Sequence, residues 1–129
     1  MGLFSALFGP KHEVLPVHIE TEADFKREVT RSEVPVILDV WSDGCVPCRQ
    51  LAPVMTDVAT RYEGRIKVAE VNTSGPIGVL QRLGVTATPT VLIFQDGKEL
   101  GRVVGYHPRS WFDEMIETEF PDEAASDAD

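Results

Sequence analysis

The sequence predicts an α/β domain in which a mixed central sheet of about five strands is sandwiched between helices, and three observations carry the prediction. The run Val36-Ile37-Leu38-Asp39-Val40-Trp41 is almost continuously apolar, as a central strand covered on both faces reads. Segments of helical period alternate with strand-like runs along most of the chain. Asp96-Gly97 separates two such runs and marks a tight hairpin, so this one pair must be antiparallel by sequence alone.

Taken in order, Leu3, Phe4, Leu7 and Phe8 share one face of a short extra N-terminal helix that Gly9-Pro10 ends, making residues 1–13 an appendage and linker. Val14 to Ile19 reads as the first strand. Thr21-Glu22-Ala23-Asp24 forms a capping box leading into a helix with Phe25 and Val29 turned inward. Val36 to Trp41 follows as the central strand, with Asp39 its one charged residue. From Cys45 to about Tyr62, Leu51, Val54, Met55, Val58 and Ala59 recur at helical spacing, and Pro53 should kink this helix rather than end it. Ile66 to Val71 is another strand, Ile77 to Leu83 a shorter helix, and Thr90 to Gln95 with Glu99 to Val104 the hairpin. Pro108 opens a last helix striped by Trp111, Phe112, Met115 and Ile116. The main domain is expected over 14–120, with an acidic tail over 121–129.

A chain of 129 residues suits one domain with a single core. At this length folding buries roughly two-thirds of the unfolded surface, so neither a disulfide staple nor a structural metal is required. The net charge of −9 is unevenly placed: residues 113–129 carry eight acids and no base, which leaves the remainder at −1. The acidity therefore reads as a solvated last helix and tail. No basic cluster exists to displace counterions, which argues against nucleic-acid binding. The first ten residues lack the basic start and long apolar stretch of a signal peptide, and no run approaches the ~20 apolar residues of a membrane span. The expected compartment is the reducing cytoplasm, where a cysteine pair means redox catalysis or metal binding more often than a structural bridge.

The two cysteines form Cys45-Val46-Pro47-Cys48 directly after the central strand. That placement puts the first sulfur at a helix N-terminus, where free N–H groups and the helix dipole favour thiolate over thiol. Cys45 is thus the expected nucleophile, and Cys48, one turn in and more buried, stays protonated until a mixed disulfide forms. A structural zinc site wants four ligands, whereas His12, His18 and His107 are all distant in sequence from the two cysteines. Inert core cysteines fit poorly beside Gly44 and Pro47. No metal and no bound cofactor are expected, the reversible Cys45–Cys48 disulfide being the redox group.

The segment Asp39-Val40-Trp41-Ser42-Asp43-Gly44-Cys45-Val46-Pro47-Cys48-Arg49-Gln50-Leu51-Ala52-Pro53 resembles the active-site segment of thioredoxins. Gly84-Val85-Thr86-Ala87-Thr88-Pro89-Thr90 resembles that family's cis-proline segment, and Asp96-Gly97 and Gly105 fall at its hairpin turn and groove glycine. About residues 14–120 are covered, and two motifs at family spacing are more specific than either alone. The resemblance implies the thioredoxin fold and a thiol-disulfide oxidoreductase, most simply a protein disulfide reductase. It implies that Pro89 is cis and faces the cysteines, and that Thr88 offers backbone groups to an extended substrate. Asp39 would be the buried aspartate that assists proton transfer at Cys48, since burial raises a carboxyl towards the range of a general base. Trp41, Gly44, Val46, Pro47 and Gly105 would complete the substrate surface. Disulfide-containing proteins are the implied substrates, a thioredoxin-reductase-like enzyme the donor, and a monomer the expected state.

Three residues depart from the family pattern. Gly44 stands where an aromatic residue is usual, Val46 where glycine is usual, and Glu70 where many members have a lysine near the buried aspartate. An acid near Asp39 would push its proton affinity further up. These changes bear on partner and potential, so two other readings stay open. One is a disulfide oxidase or isomerase; the other is a binding or chaperone-like module using the same groove.

Overall fold

The computed structural model describes residues 12–122. The expected helix over Leu3–Phe8 and all but the start of the expected tail lie outside them. In chain order the elements are β1 (Val17–His18), α1 (Glu22–Phe25), a π-helical turn that continues it (Lys26–Thr30), β2 (Val36–Trp41), α2 (Val46–Arg61), β3 (Lys67–Asn72), α3 (Ile77–Leu83), β4 (Thr90–Gln95), β5 (Lys98–Val104) and α4 (Arg109–Glu119). The strands form one five-stranded sheet in the order β1-β3-β2-β4-β5. β3 runs parallel to both β1 and β2, whereas β4 is antiparallel to β2 and to β5. This is the mixed sheet that the sequence predicts.

The alternation of each strand divides the core in two. Val36, Leu38 and Val40 of β2 and Ala69 and Val71 of β3 face Phe25, Val29, Val79 and Leu83, the inward residues of α1, its π turn and α3. Ile37, Val68, Val91 and Ile93 face Leu51, Met55, Val58, Phe112 and Ile116 of α2 and α4. Every side chain of β2 from Val36 to Val40 is buried, which accounts for its unbroken apolar run. Asp39 points to the same face as Ile37, under α2.

Two local features depart from expectation for identifiable reasons. β1 is shorter than Val14–Ile19, because Pro16 has no N–H and the Val14 N–H donates to Thr60 Oγ1 on α2 at 2.9 Å instead of to a strand. The helix after Thr21 widens at Lys26, where the Arg31 N–H donates to the Lys26 carbonyl at 2.9 Å. Its cap is as expected: Thr21 Oγ1 accepts from Asp24 N and Asp24 Oδ2 accepts from Thr21 N, both at 3.0 Å. α2 runs through Pro53 without ending. In the hairpin, Asp96 and Gly97 both adopt positive φ, 53° and 77°, the conformation that joins strands with a right-handed twist.

Candidate active site

The site is built where the central strand hands over to α2. β2 ends at Trp41, the chain turns through Gly44 at φ 74°, and Cys45 becomes the N-cap of α2 with Pro47 in its first turn. Cys45 and Cys48 form a disulfide with Cα atoms 5.2 Å apart. The Cys48 N–H donates to Cys45 Sγ at 3.2 Å, so the first sulfur already receives one of the free amides of the helix start. In the reduced protein the same amide and the helix dipole would favour a thiolate there. Cys45 is half-buried; Cys48 is 4% exposed.

A second loop closes on the first. The Thr88–Pro89 peptide bond is cis, and the Thr88 carbonyl oxygen lies 3.5 Å from Cys45 Sγ. Three contacts hold this loop: Ser42 Oγ pairs with Thr88 Oγ1 at 2.6 Å, Thr90 Oγ1 donates to the Ala87 carbonyl at 2.6 Å, and the Gly105 N–H donates to the Pro89 carbonyl at 2.8 Å. The cysteine turn, the cis-proline loop and the end of β5 are thereby tied into one surface.

Behind the disulfide lies a cavity of about 460 Å3, lined on its apolar side by Leu15, Pro16, Trp41, Ala52 and Met55 and reached by both Asp39 and Cys48. Asp39 is 4% exposed, and its Oδ1 has no hydrogen-bond partner. Burial, with the Glu70 carboxylate adding a smaller contribution, raises the Asp39 carboxyl to about 7. Asp39 and Glu70 are register partners on β2 and β3. Glu70 is itself held, accepting from His18 Nδ1 at 2.8 Å and from Trp41 Nε1.

The thioredoxin family model matches residues 16–118. Thioredoxin 1 of Nostoc sp. is 41% identical over 97 residues, which are 75% of this chain and 91% of that protein. Thioredoxin 1 of Synechococcus elongatus is 41% identical over 90 residues, 70% of this chain and 84% of that protein. The chloroplastic M-type thioredoxin of Pisum sativum is 32% identical over 111 residues, 86% of this chain and 64% of that protein. The chain belongs to the thioredoxin family.

As a thioredoxin carrying the Cys45–Cys48 pair, it is a protein-disulfide oxidoreductase working by dithiol–disulfide exchange. The residues singled out in the sequence fall into two groups in space. Cys45, Thr88, Pro89 and Gly105 meet through the contacts just described, with Val46 and Pro47 exposed beside them. Asp39, Trp41, Gly44 and Cys48 line the cavity on the other side of the disulfide. Among the described residues no helix is long and apolar enough to cross a membrane, and no group of three His, Cys, Asp or Glu could hold a metal ion.

The sequence assigned no role at this site to Ser42, His18 or the Leu15–Pro16 wall. Ser42 and Thr88 are 46 positions apart, and only the fold pairs them. His18 carries a faint signal, a polar residue between the inward Val17 and Ile19, but its link to Glu70 depends on the parallel register of β1 and β3.

Proposed function

We propose that this thioredoxin is a disulfide reductase in which Cys45 attacks, Cys48 resolves and Asp39 carries the proton. The observation behind it is the asymmetry of the two sulfurs: Cys45 caps α2 and accepts an amide, whereas Cys48 is buried against the cavity that Asp39 also lines. The Cys45 thiolate attacks a substrate disulfide, forming a Cys45–substrate S–S bond and releasing one substrate thiolate. Cys48 then gives its proton to the Asp39 carboxylate across the cavity and attacks Cys45 Sγ. The Cys45–substrate bond breaks, the second substrate thiolate leaves, and two electrons have passed from dithiol to substrate.

Thr88, with Pro89 and Gly105, would bind extended substrate backbone as an added strand. Trp41, Gly44, Val46 and Pro47 would complete the contact surface. Disulfide-containing proteins are the substrates of this reading and a thioredoxin-reductase-like enzyme returns the electrons. The protein works as a monomer in the cytoplasm and needs no bound cofactor.

A Cys48→Ser variant tests the division of labour. Covalent mixed disulfides should accumulate on Cys45, detected by mass, and none in the Cys45→Ser/Cys48→Ser double variant; equal capture by both would support a binding module instead. Direction follows from the potential of the Cys45–Cys48 couple in thiol redox buffers. A value near roughly −270 mV supports a reductase, and one near roughly −120 mV an oxidase.

A further inference from the structure

The residue opposite Asp39 on the neighbouring strand is a second acid, Glu70, and the fold does not leave it loose. Strand register aligns three titratable side chains across neighbouring strands: His18 pairs with Glu70, and Glu70 pairs with Asp39. Alternation places all three on the α2 side of the sheet, because Val17, Ala69 and Leu38 face the other core. Both oxygens of Glu70 are engaged, Oε1 by His18 Nδ1 at 2.8 Å and Oε2 by Trp41 Nε1. Trp41 lies two residues beyond Asp39 on the same strand, so its ring pins the Glu70 carboxylate on the Asp39 side of the sheet.

We propose that His18, Glu70 and Asp39 work as one electrostatically coupled row, in which Glu70 is a positioning residue for proton transfer at Cys48 and His18 is its solvent-facing control. This rests on the reading of Asp39 as the proton carrier.

A fixed anion beside a buried carboxyl makes its ionised form costlier and its carboxylate a stronger base. The Glu70 side chain is 24% exposed, too sheltered for solvent to screen it fully, while that of His18 is 47% exposed and faces solvent. The His18 ring, donating from Nδ1 to Glu70 Oε1 at 2.8 Å, draws part of the Glu70 charge away from Asp39, so its influence on Asp39 passes through Glu70. Other groups face the same space: Glu20, whose Oε1 is 3.8 Å from His18 Nε2, Asp43 from the turn, and Cys48 and Arg49 from α2. β4 contributes no charge opposite Asp39, its register partner being Val91.

The test is the 13C titration of the Asp39 carboxyl in the full chain, in wild type, Glu70→Gln, His18→Gln and the double variant, beside the pH–rate profile of protein disulfide reduction. Glu70→Gln, which keeps the shape, should lower the Asp39 midpoint by roughly one pH unit. His18→Gln should raise it by less, and that rise should vanish in the double variant. An unmoved midpoint in Glu70→Gln, or a His18→Gln shift that survives without Glu70, overturns the row. An unchanged pH–rate profile in Asp39→Asn instead overturns the proton-transfer reading of Asp39, and this use of the row with it.

Discussion

The two faces of the sheet are built to different rules. On the α1–α3 face, the inward positions of β2 are Val36, Leu38 and Val40, all fully apolar. On the α2–α4 face, the same strand offers Ile37, then Asp39, then Trp41, and the neighbouring strands add Glu70 and His18 at that end. One face therefore holds the sheet together, and the other is a core at one end and a chemical site at the other. The helices follow suit: α2 and α4, of 16 and 11 residues, cover the chemical face, whereas α1 with its π turn, of four and five residues, and α3, of seven, cover the apolar one. Short helices are marginal by themselves, so that face depends on apolar burial and on end capping.

The sharpest way to break the comparison is to exchange the chemistry of adjacent residues. Asp39 has a folded-state value of about 7 against 3.8 for an ordinary aspartate, so the folded protein binds a proton that the unfolded chain releases. Stability must then fall as pH rises from about 4 to about 7 and level off above, by roughly 4 kcal/mol in total. Asp39→Asn removes that penalty. Relative to wild type it should be little changed at pH 4 and more stable by up to about 4 kcal/mol at pH 8, measured by denaturant unfolding, while disulfide reduction at neutral pH slows. A variant with no pH-dependent gain would mean that Asp39 is ionised at little cost, and the two faces would be less distinct than described.

Leu38, next along the strand and fully buried on the opposite face, should behave inversely. Leu38→Ala should cost roughly 2–5 kcal/mol through lost burial and the residual cavity. The pH midpoint of disulfide reduction should stay where it is, because no titratable group of the site shares that face. A shifted midpoint would show that the apolar face tunes the chemistry.

The same division explains how much was legible in the sequence. β2 and α2 could be read because burial on both faces and a helical stripe each leave a periodic trace, and the cysteines sit at the junction of the two. The cis-proline loop was legible only through the resemblance of Gly84–Thr90 to a family segment, since nothing local distinguishes Thr88-Pro89 from an ordinary proline bond. Glu70 was visible as a departure from the family. Its ties to His18 and Trp41 were not, because strand order and register bring together residues 52 and 29 positions apart. The strand expected from Val14 shortens for a similar reason: Thr60, far along α2, takes its N–H.

Smaller effects belong to the ends of the short helices. Thr21→Ala removes one half of the capping box on α1 and should cost about 1 kcal/mol, read from denaturant unfolding. The other half titrates. Asp24 is held down to about 2, first by Arg27 and then by the backbone amides of Glu20 and Thr21. Its contribution is therefore present above the ordinary aspartate range and lost as pH falls towards 2, so the cost of Thr21→Ala should shrink in acid as the reciprocal pair comes apart.

The smallest expected effect is at the exposed clamp between α1 and α3, where Arg82 Nη1 and Nη2 reach Glu22 Oε1 and Oε2 at 2.6 and 2.9 Å. Both side chains are more than half exposed, so solvent and salt screen the pair even though its geometry is bidentate. Arg82→Ala should lower stability less than Thr21→Ala does in low salt and leave no measurable difference in high salt. A loss that survives high salt would mean that the stem of Arg82 packs α3 onto α1. The apolar face would then owe part of its cohesion to a charged residue, against the contrast drawn between the two faces.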